Sequence, residues 1–257
     1  MRDDKNRRPI QEAEADGLIE GRNAVTEALR SGTAIDKIYI ARGETDAALG
    51  HIASTARNRG IVVTEADRRK LDGMSRTKSH QGVIAVAAVR EYASVDDVLN
   101  AARERGEAPL IVVCDELSDP HNLGAVIRTA ECAGAHGVVI PKHRSAGITA
   151  AADKASAGAA EHMLIARVPN LTAALETMKQ RGLWIYGAEA GGGSPLWKTD
   201  MKGPICLVIG SEGAGMSRLV REACDFVMDI PLMGRVNSLN ASAAAAVLLY
   251  EIVRQRQ

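Results

Sequence analysis

Aromatic side chains are nearly absent: one Phe, four Tyr and two Trp in 257 residues. A surface that reads RNA by stacking bases on rings needs several such side chains on one sheet, which argues against a platform of the RRM or OB type. Net charge is absent as well, with 32 basic against 32 acidic residues. Residues 1–90 carry 16 basic and 13 acidic side chains and residues 91–257 carry 16 and 19, so any contact with a polyanion must come from local clusters. No apolar run approaches the roughly 20 residues of a membrane span, and the N-terminal MRDDKNRRPIQEAEADG contains no secretory apolar segment. The four Cys form no CxxC pair and the six His no HxxxH or HxH spacing, which argues against a disulfide framework and a zinc site. Cys114, Cys132, Cys206 and Cys224 are therefore expected to be buried, reduced thiols of a cytosolic protein. A GxGxxG turn followed by an acidic ribose ligand is also missing, against a nicotinamide-dependent oxidoreductase.

What remains is aliphatic. Hydrophobic residues make up 46% of the chain, enough for a large core of Ala, Val, Ile and Leu. Residues 1–17 are charged, of mixed sign and aperiodic, and read as a disordered tail. Helices are then expected over Asn23–Leu29, Thr45–Arg59 and Arg68–Met74, and strands over Lys37–Ala41, Ile61–Thr64 and Gly82–Val89. Together they predict a compact α/β unit over residues 18–90. After a linker at 91–94, Ser94 caps a helix running to Arg105, with Asp96 and Asp97 favourable in its first turn. Strands follow at Leu110–Cys114, Gly137–Ile140, Met163–Val168, Leu183–Ala188, Ile205–Ile209 and Phe226–Ile230. Helices at Asn122–Ala133 and Leu171–Gln180 and a partly helical Ile148–Ala160 separate them. That alternation predicts an α/β domain over residues 95–257, with a parallel sheet covered on both faces.

Three stretches carry chemistry. Arg68, Arg69, Lys70, Arg76 and Lys78 surround only Asp67 and Asp72, and such a run either neutralises phosphates or forms a solvated helix face. His80, beside it, either joins that contact or hydrogen-bonds locally. Farther on, the strand Ile205–Ile209 stops at Gly210, with Gly213 and Gly215 following, and Phe226–Ile230 stops at Pro231 before the turn Leu232–Leu239. Two strand ends that open into small-residue loops make a crevice at the carboxyl edge of a sheet, where α/β proteins bind ligands. The last helix begins ASAAAA; its small side chains either admit another backbone closely or lie flat on the sheet.

LVIGSEGAGMS and IPLMGRVNSLNAS, with DPHNLGAVIRTAECAGAHGVVIP upstream, resemble the three ordered signature motifs of the SpoU family of S-adenosylmethionine-dependent RNA ribose 2'-O-methyltransferases. GRNAVTEAL and SHQGVIAVA are similar to the small L30e-like substrate-binding domain of a SpoU subfamily whose best-known member methylates a guanosine of 23S rRNA. The resemblance implies a deep C-terminal trefoil knot, which no spacing reveals because knots are rare. It also implies a cytoplasmic homodimer with active sites where two knotted domains meet, and no metal. Catalytic parts fall to Asn122, Arg128, Glu212, Ser238 and Asn240, and cofactor contacts to Gly210, Ile230, Gly234 and Leu239. RNA contacts fall to Arg68, Arg69, Lys70, Arg76 and Lys78.

Methyl transfer from a sulfonium carbon to a ribose hydroxyl calls for alignment and activation of the two partners. Arg128 matches the arginine often described as the base of this family. A guanidinium essentially never deprotonates in a protein, so gripping the adjacent phosphate and stabilising the emerging alkoxide suits it better. Asn122 and Arg128 are expected to point toward the leading edge of one helix; the bland alternatives are an Asn122 helix cap and an Arg128 pair with Glu131 or Glu116. Glu212 is expected to hold Arg128 or the glycine loop, because a bare carboxylate would repel phosphate. Ser238 and Asn240 either approach the acceptor hydroxyl or cap the last helix. The same reaction on tRNA and a non-catalytic ribosome-assembly factor are the competing readings.

Overall fold

The computed structural model describes residues 17–43, 46–88 and 91–257; the expected N-terminal tail, apart from Gly17, lies outside them. The chain divides into two compact units, residues 1–91 (with Ile148–Ala150) and the remainder.

The first unit is a four-stranded sheet with order β1-β4-β2-β3, made of β1 (Leu18–Glu20), β2 (Ile35–Ala41), β3 (Val62–Ala66) and β4 (Val83–Ala87). β2 runs antiparallel to β4 and parallel to β3. Side chains alternate across the strands. Ile38, Ile40, Val83 and Ala85 pack with Val25 and Leu29 of α1 (Arg22–Ser31) and with Leu49 and Ile52 of α2 (Ala47–Asn58). Ile84 and Ala41 meet Leu71 of α3 (Arg68–Met74) on the opposite face. The α2 helix starts where the Asp46 carboxylate accepts from Ala48 N–H at 2.7 Å. The strand β1 is absent from the sequence expectation because three residues, LIE, carry no readable period. Its Glu20 nevertheless ties down the loop after α3: the carboxylate accepts from Ser75 Oγ (2.6 Å) and Arg76 N–H (2.8 Å). Burial works to raise that carboxyl group, but the hydrogen bonds from Ser75, Thr77 and Arg76 outweigh it and hold it below its ordinary value.

The second unit is a seven-stranded sheet whose pairings are all parallel, in the order β7-β6-β5-β10-β8-β11-β9. Its strands are β5 (Leu110–Cys114), β6 (Gly137–Pro141), β7 (Ile165–Val168), β8 (Trp184–Ala188), β9 (Ser194–Pro195), β10 (Ile205–Ile209) and β11 (Phe226–Asp229). The two central neighbours, β5 and β10, are buried along their whole length, as expected for strands covered on both faces. From β5 the chain winds outward through β6 and β7, whereas β8, β10 and β11 lie on the other side. The β5–β10 junction is therefore a topological switch point, and the carboxyl ends of its strands flank a crevice. One face packs Val98 of α4 (Val95–Arg105) and Leu171, Leu175 and Met178 of α7 (Leu171–Gln180) against Ile111, Val113, Cys206 and Val208.

Local signals set several boundaries. Ser94 and Asp97 form a reciprocal capping box at α4, and Gly106 ends the helix in the left-handed conformation. The expected linker is partly drawn into the sheet, because Ala93 N–H donates to Ile165 O at 2.8 Å. The helix expected from Asn122 begins earlier, as α5 (Pro120–Cys132), with the Asp119 side chain accepting from His121 N–H at 2.9 Å. Proline at the first helical position is pre-set for helix entry, so Asn122 is released from the capping role. Between β6 and β7 lies α6 (Ala150–Ser156). A short α8 (Arg218–Glu222) follows the glycine loop after β10, and the final helix, α9 (Ala241–Arg256), packs on α5. It buries Ala241, Ala245, Leu248, Leu249 and Ile252 on one broad face, with Glu251 at its margin, and the small residues come first. Cys114 and Cys206 are buried, but Cys224 is half-buried and Cys132, at the last turn of α5, is exposed, contrary to the expectation of four buried thiols.

Candidate active site

The glycine loop after β10 is closed on itself. A Cβ on Gly210 would lie 2.3 Å from the Gly215 carbonyl carbon, so no larger residue fits the neck. Ser211 and Gly215 exchange backbone hydrogen bonds at 2.9 and 3.0 Å, and Ser211 Oγ adds a third at 3.1 Å. Where the loop leaves, Ser217 N–H donates to the Asp115 carboxylate at 2.7 Å, while Asp115 N–H donates to Ile209 O at 2.8 Å. Asp115 is only 3% exposed. It is absent from the sequence-based site; the signal that points to it is a carboxylate placed directly after the buried run LIVVC.

Three of the expected catalytic residues meet. Asn122 Nδ2 donates to Glu212 Oε1 at 3.0 Å, and Asn240 Nδ2 donates to Asn122 Oδ1 at 2.9 Å and also to Glu212 Oε1. Ala241 N–H reaches the same Glu212 oxygen at 3.3 Å. The Asn240 Oδ1 meanwhile accepts from Ser242 N–H (3.0 Å), Ala243 N–H (3.3 Å) and Ser242 Oγ (2.6 Å), capping α9. Capping and site contact are thus made by opposite ends of one amide.

Arg128 stands apart. Six residues along a helix leave two side chains about 120° apart, so Asn122 and Arg128 do not share a leading edge. Asn122 is buried and Arg128 is exposed on α5, with neither hydrogen bond nor ion pair among the described residues. Glu212 holds the two asparagines rather than Arg128, and Glu116 pairs with Arg144 at 3.2 Å.

Beside the Asn122–Glu212–Asn240 joint opens a cleft of about 380 Å³. Ile209–Gly215, Ala188–Ala190, Met228, Ile230, Leu232 and Asn237–Leu239 wall it, closed by Ala241 and Ala244 of α9. Of the expected cofactor contacts Gly210, Ile230 and Leu239 line it, as does Ser238, whereas Gly234 is outside its walls. The residues from the end of β8, including Glu189, are unforeseen; the Glu189 carboxylate is held by Arg221 Nε at 2.6 Å. No cysteine lines the cleft, and the thiols of the larger sheet are poor nucleophiles at neutral pH. Burial pushes Cys114 up to about 12 with Asp115 adding to it, lifts Cys224 to about 12, and raises Cys206 well above the ordinary thiol range.

In the first unit the five expected RNA contacts are all exposed: Arg68, Arg69 and Lys70 on α3, Arg76 and Lys78 in the loop beyond. Lys70 Nζ sits 5.0 Å from the centre of the Tyr39 ring. His80 is 3% exposed and takes the local role: Gly82 N–H donates to its Nδ1 at 3.0 Å and its Nε2 faces Asp72 at 2.9 Å. The two quoted N-terminal motifs interlock, since Arg22 donates to Gln81 through its backbone N–H (3.1 Å) and its Nε (3.0 Å).

Comparison with known proteins agrees with this layout. Residues 109–250 match the SpoU rRNA Methylase family, and residues 18–93 match the RNA 2'-O ribose methyltransferase substrate binding family. The chain is 47% identical over 238 residues to the Bacillus subtilis protein named "Putative TrmH family tRNA/rRNA methyltransferase YacO", covering 93% of this chain and 95% of that one. Among solved structures, the SpoU methyltransferase AviRb from Streptomyces viridochromogenes in complex with AdoMet is similar with a TM-score of 0.58 and 27% identity, over 98% of this chain and 94% of that one. The A. aeolicus TrmH/SpoU tRNA modifying enzyme is similar with a TM-score of 0.53 and 29% identity, over 63% of this chain and 84% of its own.

Proposed function

The chain belongs to the SpoU family of S-adenosylmethionine-dependent tRNA/rRNA 2'-O-methyltransferases, and from that premise we propose that it methylates the ribose 2'-hydroxyl of a guanosine in 23S rRNA. The joint of Asn122, Glu212 and Asn240 at the lip of a cleft carries the reading. The cleft suits S-adenosylmethionine: Ile230, Leu232 and Leu239 offer an apolar slot for a base, beside the small-residue loop Gly210–Gly215. Bound there, the cofactor supplies a methyl group already activated on sulfonium. Asn122, Glu212 and Asn240 fix the relative position of α5, the glycine loop and the loop into α9. Ser238, on the cleft wall, is placed to orient the acceptor hydroxyl.

Arg128 anchors an RNA phosphate and offsets the charge that develops on the ribose oxygen, remaining a cation throughout. It lies outside the walls of its own chain's cleft and has no partner among the described residues. Both facts favour a homodimer in which each chain lends Arg128 to the cleft of the other. A trefoil knot in the C-terminal region belongs to the same proposal. The substrate-binding unit at 18–93 favours rRNA, because the tRNA-modifying relative from A. aeolicus is matched over only 63% of this chain.

Incubation with labelled S-adenosylmethionine and unmodified rRNA or tRNA transcripts is the test. Label mapped to a guanosine ribose of 23S rRNA is expected. Label confined to tRNA moves the substrate, and RNA binding without transfer makes the chain an assembly factor.

A further inference from the structure

Two loops on the carboxyl edge of the larger sheet hold a pair of unusual residues. Glu116, after β5, and Arg144, after β6, are non-glycine residues with φ of 55° and 58°, a left-handed conformation that costs free energy outside glycine. They face each other through an ion pair at 3.2 Å. The backbone around them is pinned: Lys142 N–H donates to Val168 O at 2.8 Å and Ala146 N–H to Leu117 O at 2.7 Å. The Ser145 hydroxyl, 5% exposed, also donates to Leu117 O at 3.0 Å. On this fixed backbone stand three consecutive basic side chains, Lys142, His143 and Arg144. The Arg144 side chain is 81% exposed, and neither Lys142 Nζ nor the His143 ring has a partner among the described residues.

We propose that the Lys142–His143–Arg144 loop is a second phosphate grip, holding the RNA backbone next to the nucleotide whose ribose lies at the cleft. The inference rests on the methyltransferase reading for what occupies the cleft. Position supports it. β6 pairs with β5 and β5 with β10, so at ~4.8 Å per strand the basic loop lies about 10 Å along the edge from the glycine loop. A single-stranded RNA spans that distance within a few nucleotides. Because the chain as a whole carries no net charge, attraction to phosphate has to be local, and cations on a pinned backbone lose little freedom on binding. Glu116 sets the Arg144 guanidinium and at the same time offsets part of its charge.

The double variant Lys142→Ala/Arg144→Ala is compared with wild type for binding of fluorescently labelled, unmodified rRNA transcript by anisotropy, across a salt series. Loss of two phosphate contacts should flatten the plot of log affinity against log salt by about 1.4, at ~0.7 per contact with a single strand, and weaken binding roughly tenfold at moderate salt. Affinity for S-adenosylmethionine, measured by calorimetry, should not change. Glu116→Gln removes the opposing charge and should tighten RNA binding about threefold, a gain that a damaged fold cannot mimic. Wild-type affinity and slope in the double variant, or weaker binding in Glu116→Gln, overturns the inference. Failure of the wild-type chain to transfer label while RNA binding responds as described would sink the enzyme reading alone.

Discussion

Asn122 and Asn240, 118 positions apart, meet amide to amide at 2.9 Å. The contact joins the first turn of α5 to the residue that caps α9, and both side chains converge on one oxygen of Glu212. A polar network that loses one member leaves the others unsatisfied, so the three residues stand or fall together.

Asn240→Ala removes a helix cap, about 1 kcal/mol, and also leaves Asn122 and Glu212 short of a donor. Turnover should fall roughly 100-fold through misplacement of the site, with a smaller change in S-adenosylmethionine affinity. Asn240→Asp keeps a good cap but sets a carboxylate against Glu212. Its Tm should lie below that of the Ala variant; the reverse order would mean that capping is the residue's whole contribution.

Arg128→Ala should reduce methyl transfer by about 1000-fold and leave S-adenosylmethionine binding and Tm near wild type, because the side chain is exposed and has neither hydrogen bond nor ion pair among the described residues. Mixing and refolding Arg128→Ala with Asn240→Ala chains tests the shared site. If each chain completes the other's cleft, a 1:1 mixture should recover about a quarter of wild-type activity. No recovery would confine Arg128 to its own chain.

Asp115→Ala frees the Ser217 N–H that fixes the exit of the glycine loop. The expected result is a KM for S-adenosylmethionine raised about tenfold with kcat changed less, since the loop walls the cleft rather than touching the acceptor. Asp115→Asn keeps an oxygen that can accept this bond and should recover most of the affinity. Equal loss in both variants would point to general destabilisation instead.

His136 makes stability depend on pH. It is buried, with Nδ1 accepting from Leu110 N–H at 3.1 Å and Nε2 facing Glu107 at 3.1 Å. Burial pulls its pKa below 6.5, and Glu107 offsets only part of that. The unfolded chain therefore takes up the proton first: the contribution is present above about 6.5 and is lost as pH falls through the lower folded value. Thermal melts between pH 7.5 and 5.5 should show wild type losing more stability on acidification than His136→Gln; parallel curves would exclude the mechanism.

Much of the larger unit is legible from local pattern. LIVVC and ICLVI read as strands because a run apolar on both faces suits a sheet covered twice, and Ser94 with Asp97 reads as a helix start because the cap chemistry is local. The three-residue β1 and the two-residue β9 are too short to show a period, and their pairing partners create them. Arg128 illustrates the opposite failure: its motif position is plain, but six residues along one helix set it about 120° from Asn122, an offset that the expectation of a shared leading edge overlooks.

The sequence by itself determined the alternation of strands and helices, the small-residue loops after β10 and β11, and the identity of the polar residues in them, because all of these follow from side-chain size, polarity and near neighbours. Tertiary structure alone decided that Asn122, Glu212 and Asn240 share hydrogen bonds, and that Asp115 and Arg144 belong to the same sheet edge. Such contacts depend on β10 inserting beside β5, a pairing between segments about a hundred residues apart. Local propensity carries no record of it, since only burial of both strands in one core selects it.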